Sequence, residues 1–419
     1  MSSLREDRTF NYFNLEFYLT LTSARYKVTR PKFIVKNNYL PAPYEDWETF
    51  QPPLYYLINS YIAPGSLREG NEESHANLVR FISIIYGALA LLLIAGLLDD
   101  LKIDPLKQFL ALLFLSTTPK FVLIFSTYNN DSLATLLCIG ILTVSYKLYN
   151  KWSKHLSLIL FILAVSAIYT KYSAIPCILA IIIICSKNIL KLKPPNEVQR
   201  KIIITLTLAL LSLLPWLIFH NYKYTNKLFP HNANYAIPKE LTLEKRITNL
   251  SSVLKFPLLQ KEEWEHPWLS TTEEEKDTRK ELKKHDYLAY SFISSVISHF
   301  VADTPSESFV WSMLLIHFYV IIICLFSMPK LNIGKLTFTL ILLSYFFQLC
   351  HSSQFVPAHI PGTLDFRYIS WSYLGWVVLY SVSLAEKSFF AKLQKYLLIA
   401  GVLMHIYFLC TVAGGVSKF

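Results

Sequence analysis

The chain has 419 residues, 53% of them hydrophobic and only 16% charged, and its mean hydropathy is +0.36. A soluble domain carries about 25% charged residues, so this composition excludes an ordinary water-soluble globule and points to lipid as the solvent. The formal charge of +11 does not argue for nucleic acid, because the basic residues sit mainly in loops between apolar runs, as membrane topology and anionic headgroups require.

Residues 1–78 are polar but rich in Trp, Tyr and Phe, and their polar start gives no cleavable signal peptide. Apolar stretches then follow at 79–98, 108–127, 132–149, 155–170, 173–186, 202–220, 308–328, 336–350, 369–385 and 394–413. Runs such as 82–98, 156–168 and 202–219 approach the roughly 20 residues needed to cross a bilayer core. The expected fold class is therefore an all-α polytopic membrane protein with about ten transmembrane helices. A second polar stretch, 221–307, separates two groups of spans, and its segment 272–286 reads as a charged surface helix. The expected organisation is a first outer-face loop (1–78), a first transmembrane bundle (79–220), a second outer-face loop (221–307) and C-terminal transmembrane helices (308–419).

Lysines and arginines orient these spans. Lys102 and Lys107, Lys151 and Lys154, the five cations of 187–201, Lys330 and Lys335, and Lys387 and Lys392 fall in alternate short loops. The intervening loops hold almost none. The positive-inside rule puts the basic loops in the cytosol and both long polar stretches on the opposite face. The localisation expected is a multi-pass one, in a bacterial inner membrane or, in a eukaryote, the ER.

Candidate chemistry gathers at that outer face. Glu6 and Asp7 lie between Arg5 and Arg8, which would keep a general base ionised. Glu48 precedes Gln51-Pro52-Pro53-Leu54-Tyr55-Tyr56, where the proline pair fixes the start of an interfacial helix. The Asx-rich turn Tyr128-Asn129-Asn130-Asp131-Ser132 suits a helix cap, and a helix N-terminus also suits phosphate. Asn130-Asp-Ser and Asn249-Leu-Ser match the N-glycosylation pattern. Lys120, Lys171 and Arg367 place cations at membrane depth, a costly arrangement that marks function by default. Beside Pro119, a kink is expected to turn Lys120 toward a cavity. The six cysteines read as small core residues, and neither they nor the scattered histidines have metal-ligand spacing. No metal site and no cofactor are expected, although the sequence does not exclude a divalent ion.

In this order the pieces resemble the GT-C superfamily of membrane glycosyltransferases, of the protein-mannosyltransferase and aminoarabinose-transferase type (glycosyltransferase family 39-like). Gln51-Pro52-Pro53-Leu54-Tyr55-Tyr56 resembles the family's (H/Q)PPLYY signature, and Val79 to Gly87 its lRllSallG span. Asn129-Asn130-Asp131-Ser132-Leu133 is similar to its NxDaL turn, and Thr170-Lys171-Tyr172-Ser173-Ala174 to its TKysa segment. Pro215-Trp216 through Asn221-Tyr222 resembles its W…RN…YG exit, and Phe366-Arg367-Tyr368 its late RYl element. Family members begin with a transmembrane helix ahead of the catalytic loop, and this sequence starts in that loop.

The resemblance implies an inverting transfer of sugar from a polyprenyl-phosphate donor at the non-cytosolic face. Asp7 or Glu6 would be the general base and Glu48 a second acid that orients the acceptor. Gln51, Tyr55, Asn130, Asp131, Lys171, Arg367 and Tyr368 would bind substrate, with Lys171 and Arg367 neutralising the departing phosphate. Partners would be the lipid-linked sugar, an acceptor that is protein, lipid or glycan, and membrane lipid, but not nucleic acid. Two other classes fit the same composition: a polytopic transporter or flippase, and a catalytically inactive relative acting as an assembly subunit.

Overall fold

In the computed structural model, the residues described are 30–38, 40–41, 51–62, 64–187, 195–226, 228, 287–297, 307–327, 332–352, 366–384 and 389–416. Every regular element among them is helical. Glu6, Asp7, Glu48, Asn249 and the segment 272–286 lie outside them.

The chain divides into two compact units, one formed by 17–101 and 124–235 and the other by 102–123 and 236–419 with residues 1–16. In the first, helix α1 covers residues 30–37. It is followed by α2 (Leu54–Tyr61), α3 (Pro64–Arg68), α4 (Glu72–Asp100), α7 (Asn130–Asn150), α8 (Lys154–Thr170), α9 (Ala174–Lys187) and α10 (Glu197–Leu211). Past α10 the chain runs on through a π-helical turn, Leu217–Tyr222, to Thr225. In the second unit lie α5 (Pro105–Thr117), α11 (Tyr287–Val296), α12 (Glu307–Ser327), α13 (Asn332–Ser352), a 3₁₀ segment Phe366–Ser372 leading into α14 (Tyr373–Ser383), and α15 (Phe389–Val416). Helix α6 (Pro119–Ser126) runs across the boundary between the units.

Short polar side chains start these helices by satisfying backbone N–H groups that have no intrahelical partner. Asn71 caps α4, Asp104 with Pro105 at the first position starts α5, Asn129 caps α7 and Ser153 caps α8. At α10 the reciprocal Asn196–Gln199 capping box is complete. Helix α2 begins directly after Pro53, as the proline pair requires.

Every expected apolar stretch lies on helix. Five helices are long and apolar enough to cross a membrane among the described residues: Glu72–Asp100, Asn130–Asn150, Glu197–Thr225, Ser308–Phe326 and Phe389–Thr411. Lys154–Thr170, Ala174–Ser186 and Leu336–Cys350 are shorter apolar helices. The stretch 108–127 differs from expectation: it is two helices, α5 and α6, bent by 66°. Pro119 disfavours the α conformation at the residue before it, and Thr118 is extended at φ −58° and ψ 123°. Lys120 follows the bend and is only 1% exposed.

Helices of the first unit pack through small residues, which let backbones approach where lipid offers no hydrophobic drive. Leu160, Ala164, Ala167 and Ile168 form the buried stripe of α8, which packs on α7 and α10. A Cβ on Gly140 of α7 would meet Leu163 Cδ1 at 3.3 Å, and one on Gly87 of α4 would meet Phe125 Cβ at 2.9 Å. In the second unit α15 packs on α5 and α12, with Gly401 set so closely that a Cβ would lie 2.4 Å from Phe114 Cε2.

Candidate functional site

Within the first unit, α7 and α8 bring Asp131 and Lys171 together across 40 residues of sequence. Asp131 lies in the first turn of α7, and Lys171 is the C-cap of α8. An acid at a helix N-terminus and a base at a C-terminus both match the helix dipole. Lys171 Nζ stands 2.5 Å from Asp131 Oδ1, and the two side chains are only 5% and 1% exposed. A pair buried this deeply must offset the desolvation of two charges, and it is expensive to break.

Around the pair, three more predicted residues, Gln51, Tyr55 and Asn130, come together with Arg30 and Tyr56. The guanidinium of Arg30 donates to the Gln51 carbonyl at 2.9 Å and lies 4.3 Å above the Tyr56 ring. Asn130 Nδ2 donates to the Tyr56 hydroxyl at 3.5 Å. Tyr55 meets Tyr56 edge-on, with ring centroids 5.5 Å apart. Thus Gln51, Tyr55, Asn130, Asp131 and Lys171 share one neighbourhood. Asn130 is fully buried, which rules out a glycan at that triplet.

The C-terminal end of α8 is held by a second network. Tyr172 accepts Asn221 Nδ2 at 2.8 Å and Trp216 Nε1 at 3.2 Å on its hydroxyl. His220 stacks on Trp216 with centroids 3.8 Å apart and reaches the Pro41 carbonyl at 3.2 Å. The π turn over 217–222 supplies His220 and Asn221 to these contacts, a location typical of π segments at functional sites. Burial pushes the Tyr172 phenol up to about 12, partly countered by these donors.

Sequence reasoning missed a further group in the same unit. Tyr128 packs against Tyr55 and against His75, with centroids 6.0 Å apart in each case. Burial raises the Tyr55 and Tyr128 phenols well above their ordinary range, so both remain O–H donors. Asn59, one turn beyond Tyr55 on α2, stands beside both hydroxyls. The Tyr-Tyr pair after Pro53 was legible as aromatic; nothing in the sequence distinguished His75 or Asn59.

Arg367 and Tyr368 lie in the other unit, at the start of the 3₁₀ segment. Arg367 Nη2 donates to its neighbour's hydroxyl at 3.4 Å, with the guanidinium 5.2 Å from the Tyr368 ring. Asp365, two residues before Arg367, lies outside the described residues. Among those residues no group of three or more His, Cys, Asp or Glu side chains is arranged to hold a metal.

The dolichyl-phosphate-mannose-protein mannosyltransferase family matches the chain over residues 67–219. Neither a curated protein nor a solved structure matches it. The matched segment contains His75, Tyr128, Asn130, Asp131 and Lys171 and runs into the π turn. The apolar helices mark an integral membrane protein, and its segment 67–219 is similar to that mannosyltransferase family.

Proposed function

We propose that the protein transfers a sugar from a polyprenyl-phosphate donor to an acceptor at the non-cytosolic face, with inversion at the anomeric carbon. The observation that carries this reading is the buried Asp131–Lys171 pair inside the family-matched segment. The acceptor oxygen attacks the anomeric carbon as the bond from that carbon to the phosphate oxygen breaks, and polyprenyl phosphate departs. Charge grows on the departing phosphate, where a fixed cation lowers the barrier. Lys171 is the proposed cation in the first unit, held and aimed by Asp131.

Asp7, or failing it Glu6, is the proposed base that takes the acceptor proton, and Glu48 the acid that orients the acceptor; both assignments rest on the sequence resemblance. Arg367 and Tyr368 are proposed as donor ligands on the same ground. Ten spans and two outer loops make up the proposed topology, supported by the Lys and Arg distribution.

The test is donor consumption by the purified protein in lipid nanodiscs. Polyprenyl-phosphate mannose, glucose and aminoarabinose are each offered with peptide, lipid and glycan acceptors. Release of polyprenyl phosphate that depends on an acceptor supports the reading. No turnover of any donor, together with transport of solute or lipid in sealed vesicles, would replace it with the transporter.

A further inference from the structure

Helices α8 and α10 run side by side in the same direction. Three contacts fix this in chain order: the Lys201 ammonium lies 5.2 Å from the Trp152 ring, Ser157 Oγ is 3.1 Å from Thr205 Oγ1, and the Tyr169 hydroxyl donates to the Ser212 carbonyl at 2.7 Å. Both helices therefore start at the same end of the first unit. Lys171 is the C-cap of α8, so this end lies opposite the Asp131–Lys171 pair, about 25 Å away at 1.5 Å per residue.

Near its start each helix carries an exposed cation that heads an apolar stripe. On α8, Lys154 is followed at i+4 and i+8 by Leu158 and Ile162; on α10, Arg200 is followed by Ile204, Leu208 and, at i+11, Leu211. All five apolar side chains are exposed, whereas Leu160 and Ala164 of α8 and Ile202 and Leu206 of α10 are buried. Counted round the helix, each stripe lies about 100° from the Ser157–Thr205 bond, the two in opposite rotational senses. For parallel neighbours that puts both stripes on the same side of the seam. The charge at their head is not compensated within the chain. Asp100 holds Lys147 at 3.2 Å and Glu197 holds Lys201 at 2.5 Å, which leaves Lys151, Lys154 and Arg200 outside any ion pair among the described residues.

Two cations heading two adjacent apolar stripes match an amphiphile with one anionic headgroup and two hydrocarbon chains. We propose that the α8–α10 seam binds one anionic glycerophospholipid, its phosphate at Lys154 and Arg200 and its acyl chains beside the two stripes. The half-buried Trp152, next to Lys201, then sits at headgroup level, where an amphipathic ring belongs. Uncharged lipid would cover the stripes equally well but would leave the cations unanswered. The site is separate from the Lys171 cation and stands without the transfer reaction proposed above.

Lipid retention tests it. Wild-type protein in phosphatidylcholine nanodiscs doped with rising fractions of phosphatidylglycerol should show a melting temperature that climbs and saturates, as ligand-linked stabilisation does. Native mass spectrometry of the released protein should find one phosphatidylglycerol retained. Lys154→Gln with Arg200→Gln changes two exposed positions and should weaken that retention about thirtyfold, roughly fivefold per lost cation. Lys102→Gln with Lys107→Gln removes the same charge from another of the basic loops and should leave retention unchanged. For the apolar half, the added fluorescence of Leu208→Trp should be quenched more by dibrominated phosphatidylglycerol than by dibrominated phosphatidylcholine. The proposal falls if wild type retains neither lipid or retains both equally. It falls too if the Lys102 and Lys107 changes weaken retention as much as those at Lys154 and Arg200, or if the two brominated lipids quench Leu208→Trp alike.

Discussion

Two buried histidine neighbourhoods, one in each unit, show how differently a membrane protein treats the same side chain. In the second unit His317 Nε2 and His405 Nε2 lie 2.7 Å apart, and His405 Nδ1 lies 3.2 Å from Thr117 Oγ1. Thr117 Oγ1 donates its own hydrogen to the Leu113 carbonyl at 2.9 Å, so it accepts from His405. Neutral His405 then carries its proton on Nδ1 and accepts from His317 at Nε2. One chain of bonds thus joins α5, α15 and α12, the interhelical glue expected where lipid cannot hydrogen-bond. In the first unit His75 is just as buried, yet it packs edge-on against Tyr128 and meets the Ile62 backbone rather than a polar side chain of another long helix. Chains of side-chain hydrogen bonds join long helices, whereas His75 is fixed near the end of α4 among aromatic rings.

The strongest way to break this comparison is at the ion pair, where structure and function coincide. Lys171→Met leaves the Asp131 carboxylate buried without its cation, which should cost about 3–5 kcal/mol of stability. Lys171→Met with Asp131→Leu removes both charges and should recover most of that loss. Turnover of the lipid-linked donor should stay absent in the stable double variant. Thermal unfolding and donor consumption measured on the same samples check it. A double variant as active as wild type would reduce the pair to a structural clamp.

The histidines offer a smaller and cleaner contrast. His405→Leu breaks two hydrogen bonds and strands His317, so it should lose about 1–3 kcal/mol with donor affinity untouched. His75→Leu loses at most the one bond to the Ile62 backbone, so it should cost less, about 0.5–1.5 kcal/mol. If both variants lose stability equally, the contrast between the two histidines fails.

How much of this was legible depended on whether a residue's signal was local. Lipid demands unbroken apolar sequence, so the helical stretches could be read directly, as could Asn129 as a cap. Pro119 signalled a kink, but the full break into α5 and α6 came from Thr118 turning extended. Lys171 and Asp131 each stood out as charges beside apolar runs, yet their pairing spans 40 residues and no periodicity encodes it. His75 and Asn59 were silent, because a polar residue near the end of a helix reads as solvated until packing buries it. Arg30, stacked on Tyr56, was silent for the same reason.

The smallest expected effect on stability is at Arg367, and it isolates function best. Its contacts include a long 3.4 Å bond to the Tyr368 hydroxyl and a cation–π approach of 5.2 Å to the same ring. A partly exposed cation–π contact contributes only about 0.5–1 kcal/mol, and lysine retains the charge that makes it. Arg367→Lys should therefore shift stability by less than about 1 kcal/mol. The guanidinium differs in presenting a planar fork that grips two phosphate oxygens at once, which an ammonium cannot reproduce. If Arg367 binds the donor phosphate, Arg367→Lys weakens turnover of the polyprenyl-phosphate sugar while melting barely changes. Tyr368→Phe removes the 3.4 Å bond but keeps the ring and the guanidinium, so if the Tyr368 hydroxyl binds the donor it too should weaken turnover while melting barely changes. Wild-type kinetics in Arg367→Lys would assign the arginine a structural role instead.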